Sequence, residues 1–128
     1  MALPELEAFD WEGDRPLEIP YEDCIFYHIH ARGFTRHASS GVEPAKRGTF
    51  RGIMEKIPYL QELGVTTLVL QPPVEFEEVV RPECVDRNPY GIQEQADKLN
   101  YWGYTPGQMM APKAAYSTGG GKQPVREF

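Results

Sequence analysis

The spacing of hydrophobic and polar positions predicts two strands in the first half of the chain. Residues 24–34 (CIFYHIHARGF) are aromatic and aliphatic with little alternation of polarity. Such a run is typical of a strand that is covered on both faces in a parallel sheet. Residues 65–70 (VTTLVL) are rich in β-branched side chains and have the length of a second strand.

Between these two runs, apolar residues recur at helical spacing after Thr49, whose hydroxyl suits a helix N-cap. They are Phe50, Ile53, Ile57, Leu60 and Leu63. Pro58 interrupts the stripe and predicts a kink or two short helical pieces, with Pro58 in the first turn of the second. Gly64 predicts a left-handed C-terminal cap. Strand, helix and strand in this order predict a βαβ unit with parallel strands and a right-handed crossover.

Outside this unit the hydrophobic pattern is weak. Residues 1–22 carry several acids and three prolines, so we interpret them as an extended lead-in to a unit formed by residues 23–128. Residues 71–99 are acidic and lack periodicity, which predicts a long loop; loops of this length in compact domains are usually functional or disordered. The glycines at 119–121 lack the spacing of a phosphate-binding loop and predict a flexible turn.

Composition and charge narrow the classes of partner. Thirteen Lys and Arg residues against nineteen Asp and Glu residues leave a formal net charge of −6, which disfavours nucleic acid and anionic membranes as partners. No run approaches the roughly 18 apolar residues of a membrane span, and the acidic start lacks the positive region of a secretion signal. We therefore expect a cytoplasmic protein with neither nucleic acid nor a membrane as partner.

His28 and His30 lie one residue apart in the first predicted strand and raise the question of a metal site. Because side chains alternate along a strand, both point to one face, about 7 Å apart. A metalloenzyme centre needs three or more ligands, and the remaining histidine, His37, lies in a polar loop. The alternatives are a metallohydrolase fragment, or a core-lining or hydrogen-bonding role for at least one of the two histidines.

An acidic cluster follows the second predicted strand. It consists of Glu75, Glu77 and Glu78. These residues lie on the side of a βα unit where α/β barrels build active sites, so they are candidates for acid and base chemistry. The alternative is a solvated rim.

An aromatic cluster lies further along the chain, at Tyr101, Trp102 and Tyr104. Flat rings with a polar edge suit the faces of sugars as well as hydrophobic cores. Their position in a loop punctuated by Gly and Pro favours binding, since binding residues are often on loops. From the residue types alone, sugar binding and core packing are both open.

Several blocks of sequence, taken in order, resemble the opening of the catalytic domain of glycogen-debranching enzymes. These enzymes are the isoamylase- and pullulanase-type members of the α-amylase superfamily, glycoside hydrolase family 13. The blocks are FDWEGDRP (9–16), FYHIHARGFTRHASSG (26–41), GTFRGIMEKIPYLQELGVTTL (48–68), PPVEFEE (72–78), NYWGYTP (100–106) and MAPKAAYS (110–117).

The resemblance implies an α/β fold, namely the N-terminal part of a (β/α)8 TIM barrel. That part would comprise the first strand, the first helix, the second strand and the long loop after it, with VREF at the start of the second helix. The resemblance also implies that Tyr104 stacks on the sugar at the cleavage site, and that Trp102 and Asn100 shape the same wall. The partner it implies is an α-glucan: glycogen, amylopectin or pullulan.

The same resemblance bears on the histidines. His30 matches a histidine that is common in the first strand of the family, with no metal bound there and no cofactor required. Three positions depart from the family pattern. The family more usually has a Glu or Lys at the position of His28, a Glu at that of Val69 and a His at that of Val74.

Members of this family hydrolyse α-1,6 branch linkages with retention, using an Asp nucleophile, a Glu general acid and a further Asp on later strands. The resemblance therefore places no catalytic residue within residues 1–128, and we expect the chain alone to be inactive. The alternative is a standalone glucan-binding module that uses Tyr101, Trp102 and Tyr104 as its platform.

Overall fold

The computed structural model describes residues 10–71, 73–80, 98–104 and 106–128, which form a mixed α/β fold. The strands are β1 (Phe26–His30), β2 (Thr67–Gln71), β3 (Val74–Phe76), β4 (Val79–Val80), β5 (Lys98–Leu99) and β6 (Pro106–Pro112). The helices are α1 (Ala31–Arg36), α2 (Phe50–Met54), α3 (Ile57–Glu62) and α4 (Gln123–Glu127). None of the described helices has the length and apolar composition that crossing a bilayer requires.

The predicted parallel pairing of the first two strands is confirmed. The register of β1 and β2 places Phe26 beside Thr67 and His30 beside Gln71. Because the side chains of register partners project from the same face, this pairing decides which residues of the two strands are neighbours. The carboxyl ends of both strands therefore meet at one edge of the sheet.

The two faces of this sheet differ in burial. One face packs against the core through Tyr27, Ile29, Leu68 and Leu70. On the other face, Phe26 is 51% exposed and Val69 is 39% exposed. The expectation of strands covered on both faces is therefore wrong for the described residues, because the core cluster contacts the sheet from one side.

The core joins the βαβ unit to the chain that follows it. Its buried members are Ile29, Ala31, Phe50, Ile53, Phe76 and Tyr116. The Tyr116 ring meets the Phe50 ring edge to face at 6.0 Å and the Phe76 ring at 6.3 Å. Burial raises the pKa of the Tyr116 phenol above its usual value, because the charged form is disfavoured away from water. Tyr116 thus links the helices to β3.

The predicted signals of the central helix are confirmed. The Thr49 hydroxyl accepts a hydrogen bond from a backbone N–H of α2 at 3.3 Å, as an N-cap does. Pro58 lies in the first turn of α3, which is a separate helical piece. Gly64 has a φ of +84°, and the N–H of Val65 donates to the Leu60 carbonyl at 3.0 Å, closing the helix end.

The first strand is shorter than its apolar run predicts. It ends at His30, and the next six residues form α1. The His30 imidazole accepts a hydrogen bond from the Gly33 N–H at 2.9 Å, so the histidine caps this helix. A hydrophobic run does not reveal such a cap, and the predicted strand is therefore longer than the observed one.

The stretch after β2, predicted as a loop, contains strands in its described part. β3 pairs antiparallel with β6, and β4 pairs antiparallel with β5. Residues 81–97 of the predicted loop lie outside the described residues. The register of β3 against β6 is irregular on both sides of Glu75, so these strands leave no alternating pattern in the sequence.

The two ends of the described chain differ in secondary structure and in side-chain contacts. Residues 10–20 contain no helix or strand among the described residues, and residues 1–9 of the predicted lead-in lie outside them. At the other end, the Glu127 carboxylate is held by Arg51 at 3.1 Å, Gln123 at 2.9 Å and the Thr118 N–H at 3.0 Å. Burial alone would raise the pKa of Glu127, but the hydrogen bonds from Thr118 and Gln123 lower it below its usual value.

Replacing Gly52 with alanine should destabilise the chain. A Cβ at this position would clash with the Lys46 carbonyl oxygen and lie 2.8 Å from the buried Thr35 hydroxyl. We expect Gly52→Ala to lower the free energy of unfolding by about 1–3 kcal/mol, measured by urea denaturation. Gly120→Ala is the matched control, since no atom lies within 4 Å of its added Cβ. Equal midpoints for the two variants would contradict the close packing at Gly52.

Candidate functional site

The aromatic segment, defined as residues 100–104 (NYWGY), lies at the carboxyl ends of β1 and β2. His30 ends β1 and its register partner Gln71 ends β2. The His30 Nε2 donates to the Tyr101 carbonyl at 2.7 Å. The Gln71 side-chain amide donates to the Tyr104 hydroxyl at 2.8 Å. Two adjacent strand ends therefore hold the aromatic segment near both of its ends.

His30 has the hydrogen-bonding role that the sequence left open as one alternative. Its Nδ1 accepts from the Gly33 N–H, so in this arrangement the ring proton lies on Nε2 and points at Tyr101. The imidazole also stacks on the Tyr101 ring, with centroids 4.4 Å apart and planes within 8°. Among the described residues, no three His, Cys, Asp or Glu side chains are grouped so that they could hold a metal ion.

The rings of Trp102 and Tyr104 are directed to solvent. Their planes are within 10° of parallel, with centroids 6.3 Å apart. Trp102 is 51% exposed and Tyr104 is 67% exposed. The Tyr101 ring packs edge to face on Trp102 at 5.2 Å. Core packing therefore does not describe these rings, and their exposed parts are available to stack on another flat molecule.

Asn100 and Gly103 shape the turn that presents the rings. The Asn100 side-chain oxygen accepts from the Gly103 N–H at 3.0 Å, and the Asn100 backbone N–H donates to the Glu78 carbonyl at 2.8 Å. Gly103 has a φ of +68°, and a Cβ there would lie 2.6 Å from the Phe76 ring. Asn100 thus has a structural role in the turn, while its contact with a sugar stays a prediction.

The acidic cluster is organised by a buried lysine. Lys113 is 4% exposed, and its ammonium lies 3.1 Å from the carboxylates of both Glu75 and Glu78. It also donates to the Phe76 carbonyl at 3.0 Å. Neither sequence interpretation anticipated this arrangement, since Glu75 and Glu78 share one cation, whereas Glu77 is exposed.

A pocket of about 360 Å³ is lined in part by Asn100 and Tyr101 of the aromatic segment. Arg32 and Arg36 of α1 line it together with the rings of Phe76, Tyr101 and Tyr116. Such a mixture of aromatic walls and a few hydrogen-bonding groups is usual in small-molecule sites.

Comparison with known proteins assigns the chain to a family. No protein-family model matches it. It is 40% identical over 125 residues to isoamylase 1, chloroplastic, of Oryza sativa subsp. japonica, a match that covers 94% of this chain and 14% of the rice protein. It is 36% identical over 124 residues to the glycogen operon protein GlgX homolog of Haemophilus influenzae, covering 95% of this chain and 17% of that protein.

A solved structure agrees with these sequence matches. Pullulanase from Bacillus acidopullulyticus superposes with a TM-score of 0.65 at 26% identity, covering 91% of this chain and 14% of the pullulanase chain. The chain belongs to the isoamylase- and pullulanase-type family of debranching enzymes. It spans only 14% to 17% of the length of these debranching-family relatives, so the match concerns one segment of them.

Within this debranching-family segment, the structure brings together residues that the sequence interpretation did not. It joins Trp102 and Tyr104, both predicted as site residues, with Gln71, Phe76 and Lys113, which were missed. A signal existed for Gln71, because it directly follows the second predicted strand. Parallel pairing of the two predicted strands places that end beside the end of the first, where His30 lies. No sequence signal pointed to Lys113, since a lysine is almost never fully buried unless it is paired.

Replacing Gly103 with alanine should displace the aromatic segment. The added Cβ would meet the Phe76 ring, and the positive φ would be strained. In a Trp11→Phe background, where Trp102 is the remaining tryptophan, we expect a changed Trp102 fluorescence maximum and a loss of about 1–3 kcal/mol in unfolding free energy.

The control for this change is Gly121→Ala. Gly121 has a similar φ of +66°, but nothing lies within 4 Å of its added Cβ. It therefore reports backbone strain without the ring clash, and we expect its Trp102 emission to match that of the Trp11→Phe parent. A Gly103→Ala chain with parental Trp102 emission would refute the contact with Phe76 as the cause.

Proposed function

We propose that this chain forms one wall of the glucan-binding cleft of a debranching glycoside hydrolase, which cleaves α-1,6 branch linkages of glycogen, amylopectin or pullulan with retention. One observation carries the proposal: the exposed, nearly parallel rings of Trp102 and Tyr104 lie over the carboxyl ends of two parallel strands. Sugar rings present flat C–H faces, which suit stacking on aromatic rings.

In this proposal the βαβ unit is the first part of a (β/α)8 barrel. Active sites of such barrels lie at the carboxyl ends of the strands, which is where His30 and Gln71 hold the aromatic segment. The exposed sheet face, with Phe26 and Val69, would then line the barrel interior. A complete barrel takes about 250 residues, so other parts of the barrel would come from outside these 128.

The roles of the site residues follow from their positions. Tyr104 stacks on the sugar at the cleavage site, and its hydrogen bond to Gln71 limits rotation of the ring. Trp102 stacks beside Tyr104 with its ring half exposed, so it offers a second aromatic contact to the sugar chain. Asn100 shapes the wall by holding the turn through Gly103. A cytoplasmic location and the lack of nucleic-acid or membrane partners stay predictions of the sequence.

We expect the purified chain to release no reducing ends from pullulan or glycogen. Retaining hydrolysis needs a nucleophile and an acid whose carboxyls lie about 5 Å apart on either side of the scissile bond. Near the aromatic segment, Glu75 and Glu78 are instead paired with one buried ammonium. A reducing-sugar assay gives the measurement, with a heat-denatured sample as control. Release above that control would contradict the assignment of catalysis to other residues.

A standalone glucan-binding module is the second candidate. The same exposed rings of Tyr101, Trp102 and Tyr104 favour it. The two candidates differ in the ligand that the chain prefers. A module binds linear maltooligosaccharides as well as branched ones, whereas the wall of a debranching cleft favours ligands that contain an α-1,6 linkage.

Calorimetric titration with maltotetraose and with an α-1,6-containing tetrasaccharide from pullulan tests both candidates. Tyr104→Ala and Trp102→Ala should each weaken binding by about 0.5–1.5 kcal/mol, roughly two- to tenfold in Kd, because each removes a stacking face. Tyr59→Ala is the matched control, since Tyr59 is a 45% exposed ring on α3. Equal losses for all three variants, or no binding by the parent chain, would overturn the platform.

A further inference from the structure

We propose that Lys113 is a positioning residue that holds the aromatic segment in its binding geometry. The inference rests on the proposed function for its meaning, but its first readout needs no glucan. Lys113 does not belong to the aromatic segment and has no contact with the Trp102 or Tyr104 rings among the contacts described. It acts through Phe76 and Glu78, each of which contacts a different residue of the segment.

The environment of Lys113 shows what its ammonium does. Its three N–H donors have three oxygen partners, on Glu75, Glu78 and the Phe76 backbone. The ammonium also lies over the Phe76 ring, 4.3 Å from the centroid. One buried cation therefore clamps the segment of chain from β3 to the residue before β4.

The first connection to the aromatic segment runs through the Phe76 ring. This ring has the Lys113 ammonium over it, and it packs so closely on Gly103 that a Cβ there would lie 2.6 Å from a ring carbon. Gly103 separates Trp102 from Tyr104 in the chain. A fixed Phe76 ring therefore limits where the backbone between the two binding rings can lie.

The second connection runs through Glu78. Its carboxylate is held by Lys113, and its carbonyl accepts the Asn100 N–H at 2.8 Å. The Asn100 side chain in turn accepts the Gly103 N–H at 3.0 Å. Both connections thus end at Gly103, from opposite sides of the turn.

Removing the cation should loosen this turn without dissolving the fold. The Lys113 backbone N–H donates to the Pro73 carbonyl, and the Glu75 carboxylate also accepts from the Ala114 N–H; neither contact needs the ammonium. Glu78 is 49% exposed at its side chain, so without the cation its carboxylate can turn to water. That movement would withdraw Glu78 from its place beside Asn100.

The test uses Lys113→Met, which keeps the length and apolar stem of the side chain, and Lys113→Arg, which keeps the charge. In a Trp11→Phe background, we expect Lys113→Met to move the ¹H–¹⁵N indole NMR peak of Trp102 toward its position in the urea-unfolded chain. Lys113→Arg should restore most of the parental position. By titration, Lys113→Met should raise the Kd for the pullulan tetrasaccharide about threefold or more, with recovery in Lys113→Arg.

Gly52→Ala is the stability control, because its added Cβ would meet the Lys46 carbonyl and the Thr35 hydroxyl, neither of which belongs to the aromatic segment or to the partners of Lys113. It should leave the Trp102 indole peak at the parental position under folded conditions. Any one of three results would overturn the proposal. The Trp102 peak could stay unmoved in folded Lys113→Met, it could move equally in Gly52→Ala, or Lys113→Arg could fail to restore it.

Two further results keep the test decisive. If circular dichroism shows that Lys113→Met is unfolded, Glu78→Gln takes its place, since it removes one partner of the ammonium. It should move the Trp102 peak in the same direction by a smaller amount, and an unmoved peak would overturn the inference. If the parent chain binds no glucan, the proposed function fails, while the indole peak still decides whether Lys113 positions the turn.

Discussion

The parallel pairing of β1 with β2 is the constraint on which the other features depend. Its register brings His30 and Gln71 side by side at the carboxyl edge of the sheet, and these two side chains hold the aromatic segment. A shift of one residue in either strand would turn one of them to the opposite face. The candidate site therefore exists because backbone hydrogen bonds along the whole strand pair set the positions of two terminal side chains.

The aromatic segment combines a restrained backbone with free ring faces. Polar side chains hold its backbone at Tyr101 and Gly103, and the Glu78 carbonyl holds it at Asn100, while Trp102 and Tyr104 remain half or more exposed. Ordering a backbone costs about 1–2 kcal/mol per residue, so several contacts are needed to hold five residues in place. A site that is ordered before binding loses less affinity to this cost. The ion pairs of the buried Lys113 ammonium with Glu75 and Glu78 belong to the same restraint.

Local features of the fold could be predicted from the sequence because their causes are local. Thr49, Pro58 and Gly64 each act within one helical turn, and all three were confirmed as cap, interruption and left-handed end. The strands β3, β4 and β5 were missed since each has only two or three residues, and β6 was missed because it pairs irregularly with the distant β3 and leaves no alternating pattern. The His30 cap was missed because a side chain that accepts a backbone N–H leaves no trace in a hydrophobic pattern.

By itself, the sequence determined the βαβ unit, its helix caps, the identity of the aromatic residues and, through similar blocks in order, the family of debranching enzymes. Those properties depend on residue types and on spacings of a few positions. Only the tertiary structure decided that His30 holds Tyr101, that Glu75 and Glu78 share the buried Lys113, and that Gly103 packs on Phe76. These contacts join residues that are 27 to 71 positions apart, and a pairing over such separations is set by how the chain packs in three dimensions.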